Sequence, residues 1–453
     1  MTLLLSFLGL APRVLLGYWI VRQVWRTPES KNILIEIFAA GAVGFGASSL
    51  FSFLWIWSGL PLRGYAAMET ILAIGVTGLM LIRDRKDISS VGQYLLLLRN
   101  AGGIWLLLLA IGTAFFAIGL ILVNLEYPHG RMDAWTNWNV VSRFIYLGGE
   151  DWKNTFLRQL DHPDYPLFMA MNNAVTWSIL QKSAVWGPIA FHALLAFFTA
   201  GLLFAFVDSF KGVQQASLAA VLFMTQPFAF GSSMTQYADF PLACIILGAG
   251  GFTLVYVETS EKGAAVLAGF LAGLAAWTKN EGAAFALIAS ILWLILSLRI
   301  NRAAFRNYLY GLAFPLAVVI LFKLFLAPSN DILSGAADVS KQILDARRYV
   351  DILGTGARTL WNLGEGPISL TGLIIAYALI VGGSRDKLFG GWVIGIIILL
   401  QLSAYFAIYL ITPHDLDWHL ETSINRLYLH VFPLALLWLF IWLKSPRELS
   451  KER

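Results

Sequence analysis

The sequence predicts an all-α, polytopic helical membrane protein with about 13 transmembrane helices. Three observations carry this. Of 453 residues, 58% are hydrophobic and 13% charged, and mean hydropathy is +0.70, whereas a soluble chain of this size exposes far more charge. Apolar runs of about 18 residues or more recur along nearly the whole length, each long enough to cross a bilayer. Lys and Arg gather in short loops between those runs, the asymmetry that orients membrane helices.

The first apolar stretch, 2–21, lacks a basic n-region and a convincing cleavage site, so it reads as a span and not as a removed signal. Further spans follow at 33–57, 65–82, 101–123, 187–207, 214–232, 238–257, 263–277, 283–298, 307–327, 367–382, 389–411 and 425–443. The loops Arg22–Lys31, Arg83–Arg99, Asp208–Lys211, Glu258–Lys262, Arg299–Arg306 and Arg385–Lys387 are basic, as is the tail Lys444–Arg453. All are expected together on the cytoplasmic side. The opposite face then receives 124–165, 231–238, 278–282, 328–366 and 412–424. A shorter stretch at 166–181, holding Asn172 and Asn173, upsets this alternation if it crosses fully. A helix that dips in and returns, or a tilted partial span buried in protein, restores the parity.

Four parts are expected. Residues 1–100 form N-terminal transmembrane helices with a cytoplasmic loop, and 101–327 a transmembrane core with the external loop 124–165. Residues 328–366 form a second external loop with a short amphipathic helix in Asp338–Arg348, and 367–453 the C-terminal helices and short cytoplasmic tail. Net charge of +5 and pI near 9.2 do not argue for nucleic acid, because the basic residues belong to the orienting loops. The single cysteine, Cys244, excludes an internal disulfide and has no CxxC or CxxH neighbour.

Nearly all the unusual polar residues fall on the expected external face. Asp133 opens Ala134–Tyr146, an amphipathic helix suited to the membrane interface, with Trp135 and Trp138 one turn apart. Asp133 reads either as the N-cap of this helix or as a site carboxylate held at a helix start, where the dipole keeps it ionised. His162-Pro-Asp-Tyr-Pro-Leu167 follows; its two prolines preclude a regular helix until after Pro166. Its His162 and Asp164 read as solvated loop groups or as site groups. Tyr237-Ala-Asp239-Phe-Pro241 repeats the acid-then-proline pattern, with N-capping by Asp239 as the simpler reading. Trp277-Thr-Lys279-Asn-Glu281-Gly282 places an acid–base pair between two spans, either as a self-satisfied ion pair or as a phosphate anchor. His414-Asp-Leu-Asp-Trp-His419, then Arg426 and His430, form a last cluster whose spacing does not match a firm zinc signature. Arg426, near the start of a span, must face protein, solvent or an anion.

These motifs, in this order, resemble the GT-C superfamily of membrane glycosyltransferases, and most of all bacterial members of the protein O-mannosyltransferase and aminoarabinose transferase type. The pattern is Asp133-Ala-Trp135, His162-Pro-Asp-Tyr-Pro-Leu167, Ala238-Asp239-Phe-Pro-Leu242 and Trp277-Thr-Lys-Asn-Glu-Gly282, covering roughly residues 101–300. The resemblance implies a GT-C fold in the bacterial inner membrane with its active site on the periplasmic face. It implies inverting transfer of a sugar from a polyprenyl-phosphate donor to a glycan, lipid or protein acceptor. Asp133 matches the family's catalytic Asp and would be the general base. Lys279 and Arg426 would neutralise the departing lipid phosphate. His162, Asp164, Tyr165, Asp239, Trp135, Trp138, Glu281 and His419 would line the substrate site.

The chain also departs from the family. Met132 precedes Asp133, so there is no DxD or DE pair; Tyr165-Pro166 replaces Pro-Pro; and only Lys444–Arg453 follows the last span. No metal ligand is therefore assigned, and use of a divalent cation is left open. Two other readings stand beside it. An O-antigen ligase or polymerase would rely on a late Arg-rich loop, here holding Arg347, Arg348 and Arg358. A lipid or solute transporter would place paired charges at the bilayer midplane in two similar halves. A membrane scaffold would leave the one-sided cluster without a cause.

Overall fold

The computed structural model describes residues 2–25, 33–83, 102–157, 162–299, 301–328, 339–363, 369–384 and 388–451. Among them every regular element is a helix. The chain opens with α1 (Thr2–Val24), α2 (Ile33–Trp57), α3 (Leu62–Arg83) and α4 (Gly103–Glu126). A π-helical turn (Ala134–Trp138) leads into α5 (Asn139–Gly148), then a 3-10 stretch (Gly149–Leu157) and α6 (Phe168–Leu180). Next come α7 (Trp186–Lys211), α8 (Val213–Met224), α9 (Pro227–Ser233), α10 (Asp239–Thr259), α11 (Lys262–Thr278), α12 (Asn280–Arg299) and α13 (Arg302–Phe325). The last part holds α14 (Val339–Leu344), α15 (Ala346–Trp361), α16 (Leu370–Val381), α17 (Phe389–Ile411), α18 (Leu416–Trp442) and α19 (Pro446–Lys451).

Ten of these helices are long and apolar enough to cross a membrane, and α8, α11 and α16 are shorter apolar ones. Together they coincide one for one with the expected spans, as a polytopic helical membrane protein requires. The stretch 214–232 is broken into α8 and α9 at Gln226, which Pro227 forces into extended backbone (φ −85°, ψ 124°). The helix expected in Asp338–Arg348 becomes α14 and α15, parted at Asp345, whose carboxylate accepts the Arg347 N–H at 2.9 Å and caps α15.

Burial sorts the bundle into layers. The apolar window of α10 is 94% buried, whereas those of α3 and α4 are 22% buried and present leucine and isoleucine outward. In lipid, close packing and not hydrophobic exclusion joins helices, so small residues set the crossings. A Cβ on Gly269 would lie 1.9 Å from the Tyr308 carbonyl oxygen, and one on Gly311 1.9 Å from that of Val266. Helices α11 and α13 therefore touch backbone to backbone.

Helix α6, the stretch that strained the alternation, is a partial span enclosed by protein. Its 13 residues reach about 20 Å, short of the roughly 30 Å hydrocarbon layer. Asn172 and Asn173 are fully buried, and the Asn172 amide donates to the Phe45 and Phe168 carbonyls at 3.1 and 2.8 Å. A second buried device ties α6 to α1 and α3. Arg13 donates to Glu69 at 3.3 Å, to the Asn172 carbonyl at 2.9 Å and to Thr176 at 3.0 Å, and Tyr65 donates to Glu69 at 3.1 Å. The expected spans 2–21 and 65–82 thus enclose a buried ion pair.

The opposite end of the bundle is tied by polar contacts between expected cytoplasmic loops. Lys211 donates to Ser384 at 2.6 Å, Ser384 donates to Glu448 at 2.6 Å, and the Gly390 N–H donates to Glu258 at 2.7 Å. The expected loop residues 26–32, 84–101 and 385–387, and parts of 124–165 (158–161) and 328–366 (329–338, 364–368), lie outside the described residues.

Candidate functional site

Asp133 is delivered by the turn that follows α4. Gly130 there has φ +75°, and a Cβ on it would strike the Thr235 carbonyl at 2.6 Å, so the turn packs flat against 235–237. The Arg131 N–H donates to that same carbonyl at 3.1 Å. The Asp133 backbone is helical (φ −62°, ψ −23°) and its carboxylate makes no capping bond. That overturns the N-cap reading. The side chain instead accepts from Arg426 Nη1 at 2.7 Å, and the Asp133 backbone N–H donates to the Tyr237 hydroxyl at 3.3 Å. Burial, reinforced by the Asp133 charge, raises the Tyr237 phenol above its usual range. The Arg426 guanidinium lies 4.8 Å from the Tyr237 ring centre.

Asp239 is the hub. It stands in the first turn of α10, but Ala238 is the N-cap and makes no side-chain cap bond. Its oxygens accept from Lys279 at 2.8 Å, from Arg426 at 3.0 and 2.9 Å, and from His430 Nε2 at 2.8 Å. Its side chain is 2% exposed, a setting in which a carboxylate survives only with such partners. With Nε2 donating to Asp239, His430 Nδ1 accepts from the Tyr405 hydroxyl at 2.9 Å in the neutral ring. Arg426 and His430 sit four residues apart, on one face of α18. Helix α18 has 27 residues, about 40 Å, longer than a roughly 30 Å apolar layer, and Arg426 lies about 15 Å from its first residue.

Lys279 occupies the extended link between α11 and α12 (φ −161°, ψ 158°). It pairs with both Asp239 and Glu281, each at 2.8 Å, and is 3% exposed. The cluster therefore sets Arg426 and Lys279 against Asp133, Asp239 and Glu281. Only the Asp133–Arg426 pair is open, at 32% and 27% exposed.

The His162–Leu167 segment forms the wall beside Lys279. Tyr165 stacks on Trp138 (5.1 Å, 11°), carries His162 at 4.9 Å, and has the Lys279 ammonium 5.7 Å from its ring. Burial pushes the Tyr165 phenol far up, and the Glu281 charge adds to this. Asp164 is drawn elsewhere. It accepts from Asn280 at 2.8 Å, and Lys323 donates to its carbonyl at 2.6 Å and to Asn280 at 2.8 Å.

Trp135 lies on the other flank of the π turn, 57% exposed. It lines a cleft of about 140 Å³ with His129, Arg143 and Gln236; this cleft adjoins the charged cluster and does not contain it. His419 bonds Thr412 at 2.9 Å and packs on Tyr409, while Asp415 caps α18 by accepting the Trp418 N–H at 2.9 Å. The arginines expected to support a ligase make these contacts: Arg347 pairs with Asp351, Arg348 donates to the Tyr409 carbonyl and Arg358 to that of Gly354.

Sequence reasoning assigned no site role to His430, Tyr405, Tyr237 or Lys323. The signal for His430 was its four-residue offset from Arg426; Tyr405 and Lys323 lie inside apolar spans and gave none. Both Asp239 oxygens are taken by cationic or N–H donors, and among the described residues no three His, Cys, Asp or Glu side chains are arranged as metal ligands. No family model, no curated protein and no solved structure matches the chain.

Proposed function

We propose that this chain is an integral membrane glycosyltransferase of GT-C type. It moves a sugar, with inversion, from a polyprenyl-phosphate donor to an acceptor hydroxyl at the periplasmic face of a bacterial inner membrane. The observation that carries the reading is the half-open Asp133–Arg426 pair, seated on a buried Asp239–Lys279–His430 base.

In the reaction the acceptor oxygen attacks the anomeric carbon while Asp133 takes its proton. The bond from that carbon to the phosphate oxygen breaks, and the electron pair leaves with the lipid phosphate. Arg426 offers a planar fork to that phosphate. The phosphate replaces Asp133 as its partner and releases the carboxylate to act as base. Lys279 is too enclosed to meet the phosphate first; it holds Asp239, which in turn fixes the Arg426 fork. A charge-stabilising cation of this kind is commonly worth about 3 kcal/mol of barrier.

The test is incubation of the purified protein with radiolabelled polyprenyl-phosphate sugars and membrane extracts as acceptor source. Label should move from lipid to acceptor. Absence of transfer from every donor, by protein that binds polyprenyl phosphate no better than Arg426→Ala does, removes the reading.

A further inference from the structure

We infer that the small pocket under the Trp138–Tyr165 stack is a subsite for one hydroxyl or carbonyl oxygen of the donor's sugar, gripped by the side-chain N–H groups of Asn137 and Trp138. The inference rests on the glycosyl-transfer reading and narrows it to a specificity contact. Asn137 Nδ2 and Trp138 Nε1 are buried donors without a hydrogen-bond partner. Their side chains belong to residues only 3% and 4% exposed. Buried donors are almost always paired, so two unpaired ones in adjacent residues call for an occupant. Both residues line the same pocket, with Phe156, His162, Tyr165 and Pro166 as its other walls.

The chemistry of the occupant follows from the donors. Two N–H groups demand lone pairs, which excludes an ammonium and favours a hydroxyl or carbonyl oxygen. The free volume is about 10 Å³, close to the room one water-sized group needs. Position links the pocket to the reaction, because Tyr165 is at once its wall and the ring over which Lys279 sits. A sugar whose phosphate meets Arg426 can thus lay one oxygen against Asn137 and Trp138. The π turn, a feature frequent at functional sites, follows Asp133 directly and holds both Asn137 and Trp138.

The test uses the full chain in nanodiscs, labelled with 5-fluorotryptophan and titrated with decaprenyl-phosphate glucose, mannose and galactose, their monodeoxy analogues, and bare decaprenyl phosphate. The fluorine resonance absent from Trp138→Phe should move with a sugar-bearing lipid and not with the bare one. One deoxy analogue should bind the wild type roughly tenfold more weakly, and that deficit should vanish in both Trp138→Phe and Asn137→Leu. If every deoxy analogue loses the same factor in wild type and both variants, the pocket holds an ordered water only and the inference is overturned. Failure of bare decaprenyl phosphate to bind would sink the transfer reading by itself. Free hexoses then decide the pocket, and an unmoved Trp138 resonance overturns it.

Discussion

Arg426 joins two carboxylates, donating from Nη1 to Asp133 at 2.7 Å and from Nε to Asp239 at 3.0 Å. Asp133 is 293 residues away in sequence and Asp239 is 187. The two bonds differ in kind. The Asp239 side is sealed, and the Asp133 side is partly open to solvent. A single guanidinium therefore links a buried carboxylate to a half-exposed one.

Asp133→Asn should abolish transfer while leaving the fold intact. The amide cannot take the acceptor's proton, and the pair it loses is partly solvated, worth about 1 kcal/mol or less. Asp133→Ala should likewise unfold within about 1 kcal/mol of wild type, because no helix cap is lost. Thermal unfolding and a transfer assay on both variants check this. A large loss of stability in Asp133→Ala with transfer kept in Asp133→Asn would return Asp133 to a capping role.

The fold was legible from the sequence because lipid forces each span to write itself as an apolar run. The polar cluster was legible because Asp133, Asp239, Lys279 and Arg426 each interrupt or begin such a run. What each residue touches was not. Capping and ion pairing use the same residue types at the same helix starts, so Asp133 and Asp239 read equally well as N-caps. Tyr405 and Lys323 hide in apolar stretches, and only tertiary packing shows Tyr405 behind His430. The unpaired Asn137 and Trp138 donors are invisible without their neighbours.

The Arg13–Glu69 pair predicts a double-mutant signature. Both groups are almost wholly buried, 0% and 2% exposed. Arg13→Leu or Glu69→Leu alone leaves one charge stranded and should cost about 3–5 kcal/mol. The double variant, Arg13→Leu with Glu69→Leu, should recover most of that. Unfolding in detergent for the four proteins gives the coupling, and additive losses would show that the two groups do not act as a pair.

The tyrosines predict an alkaline limit. Burial raises the folded-state phenols of Tyr165 and Tyr237, so the unfolded chain ionises first. Their contribution is fully present below the unfolded value near pH 10 and is lost as pH rises toward the higher folded values. The melting temperature should therefore fall above about pH 10, and Tyr165→Phe should flatten that fall while leaving the neutral-pH value nearly unchanged. An identical alkaline slope in Tyr165→Phe would refute the assignment.

Arg426 and Lys279 should separate in kinetics although they share Asp239. Arg426 is the cation with an open side, so Arg426→Lys keeps a charge but cannot fork between carboxylates or grip a phosphate at two points. Apparent donor affinity and turnover should both fall, together about 100-fold or more in kcat/KM. Lys279→Ala removes a buried partner of Asp239 and Glu281. Its main cost should be stability, about 3–5 kcal/mol, because a stranded carboxylate remains under Tyr165. Donor affinity of the folded fraction should stay within a few-fold of wild type, since phosphate does not reach the ammonium. Lys279→Arg, too large for the space beneath that ring, should not rescue the fold. Equilibrium binding of polyprenyl phosphate to each variant, read beside its melting temperature, decides the division of labour. A Lys279→Ala protein that is stable and binds the donor far more weakly would make Lys279, and not Arg426, the phosphate ligand.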